Sequence, residues 1–314
     1  MAPATMKATV CKEVGKPTVI EDAPVPTPQG REILVRVKAA SLCHSDAVSV
    51  VEELGPDAAS YGINVGDLVG APLWHNMCFT CFDCQDAEPQ FCTKMQVKGL
   101  TSPGYFAEYT VVDPARAVVI PKEYPVPSAL APLFCAGITF WDALNRAKLQ
   151  PGETVAIVGA GGLGELASKY AQAFGAKCVK DLNSADDVLN ARSVPADLLP
   201  IKFAELNNGR LAGAAVVTSG VVPAYQTAFN IIKAQGSLAM VGLPHDPLPV
   251  LLPQLIAAKA PGEKEATKCV EFSTRKSIIP KIHPKKFRLE DINEMLDLVY
   301  SGKIEDGYMV VEFF

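Results

Sequence analysis

Hydrophobic and polar positions change their rhythm once along the chain. In the first third the pattern is short and alternating. Ile33-Leu-Val-Arg-Val-Lys38 places apolar residues on one face and charged ones on the other, the mark of a half-buried strand. Val65-Gly-Asp-Leu-Val-Gly70 and Tyr109-Thr-Val-Val-Asp113 predict two more strands between Gly and Pro breakers. Near residue 150 the pattern lengthens. Thr154-Val-Ala-Ile-Val158 is a continuous apolar run, a glycine turn follows, and residues 165–174 have helical spacing. Ala214-Ala-Val-Val-Thr218, a helical stretch over 224–234 and Ser237-Leu-Ala-Met-Val-Gly242 repeat the alternation. Strands alternating with helices predict a doubly wound parallel sheet. Residues 289–300 read as a helix and 308–312 as a last strand.

With 314 residues, the chain suits two domains. Composition narrows the function more than the fold. A net charge of −5 without a Lys/Arg stripe excludes a nucleic-acid partner. The start has no apolar signal core, and no stretch approaches 18 uncharged apolar residues, so the sequence reads as soluble and cytoplasmic, with no membrane partner. In that compartment the nine cysteines are expected to be thiols or metal ligands.

Four of those cysteines crowd together. Cys78, Cys81, Cys84 and Cys92 follow C-x2-C-x2-C-x7-C, a spacing that lets one loop wrap its sulfurs around a single ion. Four thiolates close a tetrahedral Zn2+ shell, so such a site is structural and leaves no position for a substrate. An iron–sulfur cluster or chance clustering are the other readings of the same spacing. The second motif is Gly159-Ala-Gly161-Gly162-Leu163-Gly164, a G-x-G-x-x-G placed after a strand and before a helix. There the helix N-terminus can receive a dinucleotide pyrophosphate; a strand–helix turn without a ligand is the alternative. An acid roughly 20 residues further on usually holds the adenosine ribose, which makes Asp181 the candidate and NAD the preferred cofactor over NADP.

These features together resemble the zinc-dependent alcohol dehydrogenases of the medium-chain dehydrogenase/reductase superfamily. The most specific stretches are Ala40-Ser-Leu-Cys-His-Ser-Asp46, the four-cysteine lobe, Gly104-Tyr-Phe-Ala-Glu-Tyr109, Pro132-Leu-Phe-Cys-Ala-Gly-Ile-Thr139 and the glycine turn. The resemblance implies an α/β protein with a GroES-like β-rich catalytic domain over 1–135, completed by about 285–314. A Rossmann doubly wound domain would span 136–284, with the active site in the cleft between them. It also implies that Cys43 and Cys135 are two of the three ligands of a catalytic zinc and that Ser45 passes the alcohol proton. His44 would lie near the cofactor pyrophosphate and Thr139 against the nicotinamide. The substrate would be a small alcohol or carbonyl compound, and the assembly a homo-oligomer.

The chain departs from that family where the chemistry is most exposed. Relatives carry Gly-His-Glu shortly after the C-H-S-D motif; here Asp46 leads straight into Ala47-Val-Ser-Val-Val-Glu-Glu-Leu-Gly55, and the segment bearing the His ligand is missing. Val48 stands where many relatives place a proton-relay His, and the strand near Cys178 is shortened. Ala260-Pro-Gly-Glu-Lys264 replaces a strand of the Rossmann sheet, and Tyr308 replaces an Arg. Three readings therefore stand: an alcohol dehydrogenase with impaired activity, a zinc-independent quinone or enoyl reductase on the same fold, or an inactive nucleotide-binding homologue.

Overall fold

The computed structural model describes residues 2–42, 46–86, 91–124, 127–147, 149, 152–180, 187–244, 246–247, 255–257, 263–304 and 307–313. They form two compact units, Met1–Ile138 with Pro261–Phe314, and Thr139–Ala260. The boundaries expected at 135 and 285 fall at 138 and 261 in this division.

The first unit is β-rich. It begins with an antiparallel hairpin, β1 (Thr5–Val10) and β2 (Val19–Pro24). Its main sheet holds β3 (Ile33–Ser41), β4 (Asp46–Leu54) and β5 (Leu68–Ala71). A two-residue ribbon follows, β6 (Trp74–His75) with β7 (Gln96–Val97), enclosing helix α1 (Phe82–Asp86). Strands β8 (Tyr109–Val112) and β9 (Val118–Val119) return to the main sheet. Helix α2 (Ala136–Ala147) leads out of this unit.

The alternation read at Ile33 is kept: Ile33, Val35 and Val37 join Val51, Val69 and Val112 in one core, while Arg36 and Lys38 do not. The strand expected from Val65 starts at Leu68, because Gly66 adopts φ +90° and turns the chain before the ladder begins. The pairing of β3 with β4 runs from Ile33 opposite Leu54 to Ser41 opposite Asp46, with register shifts at Leu34/Val35 and Val37/Ala39. Asp46 is buried and its carboxylate accepts a hydrogen bond from Ser41 Oγ at 2.5 Å.

The second unit contains β10 (Thr154–Val158), α3 (Gly162–Ala173), β11 (Lys177–Lys180), β12 (Asp187–Val188) and α4 (Leu199–Leu206). It continues through β13 (Ala212–Val217), α5 (Val222–Ile231), β14 (Ile232–Met240) and β15 (Leu255–Ala257). The sheet order is β12-β11-β10-β13-β14-β15, parallel throughout. This is the arrangement in which chain order reverses beside the first strand, leaving a crevice at its carboxyl end. Two expectations are corrected. The helix predicted to Ala234 stops at Ile231, because Ile232 already pairs with Ala212 of β13. The sheet also reaches six strands despite the replaced segment: β15 pairs with β14 from Leu238↔Leu255 to Met240↔Ala257.

The chain returns to the first unit with α6 (Glu263–Arg275), α7 (Ile292–Tyr300) and β16 (Val310–Glu312). β16 lies antiparallel to β3 and begins two residues later than the sequence pattern predicts.

Candidate functional site

The cysteine loop is shaped by its ends. Pairing of Trp74 with Val97 and His75 with Gln96 holds its two stems together. Asn76 and Phe79 adopt left-handed φ of 57° and 55°, folding the chain back between them. Two guanidinium groups lie against the Phe79 ring, Arg31 at 4.8 Å and Arg116 at 5.2 Å from its centre. Arg31 is fixed by Asp113, with contacts of 2.8 and 3.2 Å. Beneath the stems lie two buried bases. His75 Nε2 is 3.3 Å from Glu32, yet burial, with Lys98 and Arg31 adding to it, holds the imidazole down at about 4, so it is neutral at pH 7. Burial likewise lowers the Lys98 ammonium to about 8, and its Nζ donates to Thr110 Oγ1 at 3.0 Å.

The four sulfurs converge. Their ligand atoms lie within 4.8 Å of one another. Individual Sγ–Sγ distances are 3.5 Å for Cys78–Cys92, 3.9 Å for Cys78–Cys84 and 4.0 Å for Cys81–Cys92. Four sulfurs at the usual Zn–S bond length stand about 3.8 Å apart at the corners of a tetrahedron, so the group fits one zinc ion. The backbone N–H of Thr80 draws the Cys78 thiol down to about 5, whereas burial pushes that of Cys84 up to about 12. Replacing Cys92, the buried member, by Ser is expected to lower zinc content and to cost about 2 kcal/mol of stability. Elemental analysis and urea unfolding check the two effects.

The glycine turn has a different logic at each glycine. Gly159, which follows β10, adopts φ +125°, and a Cβ there would stand 2.4 Å from Thr218 Oγ1. At Gly164 a Cβ would stand 2.0 Å from the carbonyl oxygen of Gly159. Both are glycines because the protein's own packing requires it. Gly161 is not: it is the extended residue before α3, φ −72°, and a Cβ added there meets nothing within 4 Å. Gly162 and Leu163 form the half-buried first turn of α3, whose N-terminus faces the same open space.

Cys135 immediately precedes α2 and Thr139 lies in its first turn; both are half-buried. The element that places Cys135 was not legible in the sequence. Phe134 is fully buried against β5, where a Cβ on Gly70 would lie 1.7 Å from the ring. A glycine inside a strand can mark such a close approach, and Val69-Gly-Ala71 carried that signal. Gly70→Ala is expected to destabilise the protein by about 3 kcal/mol through overpacking, read as a lower urea midpoint, and to displace Cys135.

Cys43, His44, Ser45 and Asp181 lie outside the described residues. Among the described residues, the four-cysteine lobe is the one group of three or more His, Cys, Asp or Glu side chains placed to hold a metal ion. Glu52 is paired with Arg36 at 2.6 Å, and His75 belongs to the lobe stems. Val48, at the relay position, is buried in β4 opposite Gly70. The thiolates of Cys43 and Cys135 alone do not complete the three-ligand shell that a catalytic zinc takes.

Residues 45–122 match the alcohol dehydrogenase GroES-like domain. An alcohol dehydrogenase of Geobacillus stearothermophilus is 31% identical over 344 residues, covering 98% of this chain and 99% of the relative. Among solved structures, the alcohol dehydrogenase of the archaeon Aeropyrum pernix superposes with a TM-score of 0.84 at 24% identity, covering 98% of this chain and 100% of that one. CAD from Helicobacter pylori, solved with NADP(H), gives 0.78 at 23% identity, with 98% of each chain covered. Among the described residues no helix is long and apolar enough to cross a membrane.

Proposed function

This chain belongs to the zinc-dependent alcohol dehydrogenases of the medium-chain dehydrogenase/reductase superfamily, and from that premise we propose that it binds NAD(H) across the Gly159–Gly164 turn and interconverts a small alcohol with its aldehyde or ketone at a much reduced rate. The first unit then acts as the catalytic domain and the second as the dinucleotide-binding domain. The observation that carries the cofactor is Gly161. Its neighbours need glycine for internal reasons; Gly161 keeps a bare backbone beside open space at a helix N-terminus, as close approach of a pyrophosphate demands. When bound, the nicotinamide ring supplies the hydride chemistry. The N–H groups at the start of α3 hold the pyrophosphate, His44 assists them, Asp181 holds the ribose, and Thr139 packs against the ring. Ser45 would pass the alcohol proton on toward solvent, giving up its own proton as it accepts the alcohol's, while the hydride of the carbinol carbon goes to the oxidised nicotinamide.

The four-cysteine lobe holds a zinc that stiffens the first unit and takes no part in the reaction, since four thiolates leave no open position. No step is assigned to a second zinc. The missing His ligand favours the neighbouring reading of a zinc-independent quinone or enoyl reductase. Titration with NADH and NADPH, followed by nicotinamide fluorescence, tests the proposal: saturable binding with NADH tighter is expected. No response to either cofactor would refute it. Reduction of a quinone or enone in the absence of alcohol turnover would select the reductase reading.

A further inference from the structure

We propose that the second unit carries another ligand site, at the end of its sheet away from the glycine turn, and that this site takes a small metabolite bearing a phosphate or carboxylate group. A cavity of about 600 Å3 opens there, lined by Glu153, Thr154, Lys177, Asn208, Arg210 and Lys233, among others. That volume is in the range of small-molecule sites. β10 begins at Thr154, β11 at Lys177 and β13 at Ala212, so the cavity sits at the amino ends of three neighbouring parallel strands. The cofactor turn follows the carboxyl end of β10. Five residues of strand separate the two sites, about 17 Å.

The charges in this cavity do not cancel. Lys233 contacts the Glu153 carboxylate. Lys177 is shared between Asp187, at 2.7 Å, and the carbonyl of Leu206, also at 2.7 Å, where it offsets the negative end of α4. Arg210 has only its backbone engaged: its N–H donates to the Asn207 carbonyl, and its own carbonyl accepts from Asn207 Nδ2. Its guanidinium has no acceptor among the described residues. Three cations against two carboxylates leave one positive charge in excess, on the group best suited to grip an oxyanion with two parallel N–H bonds. Thr154 and Asn207 bond to each other at 2.6 Å and are already satisfied. Exposed Asn208, beside Arg210, offers a further uncommitted amide. Gly213 makes room for the arrangement, because a Cβ there would lie 2.8 Å from Glu153 Oε2. Among the described residues Leu211 is the one large apolar residue of the lining, so an apolar ligand gains little here.

The test is a titration of the intact protein, with and without NADH, using inorganic phosphate in one arm and citrate in the other at constant ionic strength. Backbone amide shifts of residues 152–154 and 207–211 report on this cavity, and those of 159–165 on the cofactor turn. Saturable shifts in the first group are expected with at least one anion and unaltered by NADH. Arg210→Gln should weaken them at least about tenfold while leaving the NADH midpoint unchanged. Response to phosphate alone would identify a phosphoryl ligand, and response to citrate alone a carboxylate. Shifts that never saturate, or a midpoint that Arg210→Gln does not move, would overturn the proposal. Lys233→Gln provides a second check: it should weaken binding of either anion.

Discussion

Oxidation of a short primary alcohol, assayed with NAD and added zinc, is expected to run about a thousandfold below the usual enzymatic range of roughly 1–1000 per second. The loss corresponds to about 4 kcal/mol of transition-state stabilisation, the scale on which a Lewis-acid metal lowers such a barrier. It follows from the hairpin of β3 and β4. Ser41 pairs directly with Asp46, so four residues join the strands, and β4 proceeds at once into its ladder with β5. No loop is left between Asp46 and Leu54 to carry a third ligand. Ser45 cannot replace the metal, since a hydroxyl is a weak base at neutral pH. Steady-state rates, together with zinc stoichiometry, check the expectation. One zinc per chain and slow turnover agree with it; two zincs and ordinary turnover would sink it.

The second large effect concerns Gly161. Gly161→Asp should weaken NADH binding by more than about a hundredfold, because it sets bulk and a like charge where the pyrophosphate lies. The fold should be little changed, since a Cβ at this position meets nothing within 4 Å. Gly164→Ala should cost stability as well. Its Cβ collides with the Gly159 carbonyl, so unfolding shifts to lower urea as well as cofactor being lost. Fluorescence titration beside urea unfolding separates the two. Equal loss of stability in both variants would mean that the turn is glycine-rich for packing alone.

Much of this was legible in the sequence wherever a short-range rule governs. The alternation at Ile33–Lys38, the apolar run at Thr154–Val158 and the glycine spacing each name an element through contacts within a few residues. The convergence of four sulfurs was legible because their loop is short. What sequence could not show depends on distant partners. Ile232 looks like the continuation of a helix until β13 offers it a ladder. Phe134 looks like any core aromatic until Gly70, far along the chain, vacates the space for its ring. Nothing local to Arg31 or Arg116 in the sequence shows that both guanidiniums stack on the ring of Phe79. Leu255–Ala257 read as the run before a missing strand and instead fills the sixth place in the sheet.

The way the cysteine loop is fastened bears on how the protein opens. The β6–β7 ribbon already fixes its two stems, and the two guanidiniums hold Phe79 against the body. A metal ion bound by the four cysteines would therefore close a loop whose ends are tied independently of it, and its removal is expected to release one segment instead of the whole chain. The residues of the loop would then make a small cooperative unit with its own opening equilibrium. Amide protons there are expected to exchange with solvent faster when a chelator removes the metal. Those of β3 and β4, buried in the core of the same domain, keep the protection of global unfolding whether the loop is shut or open.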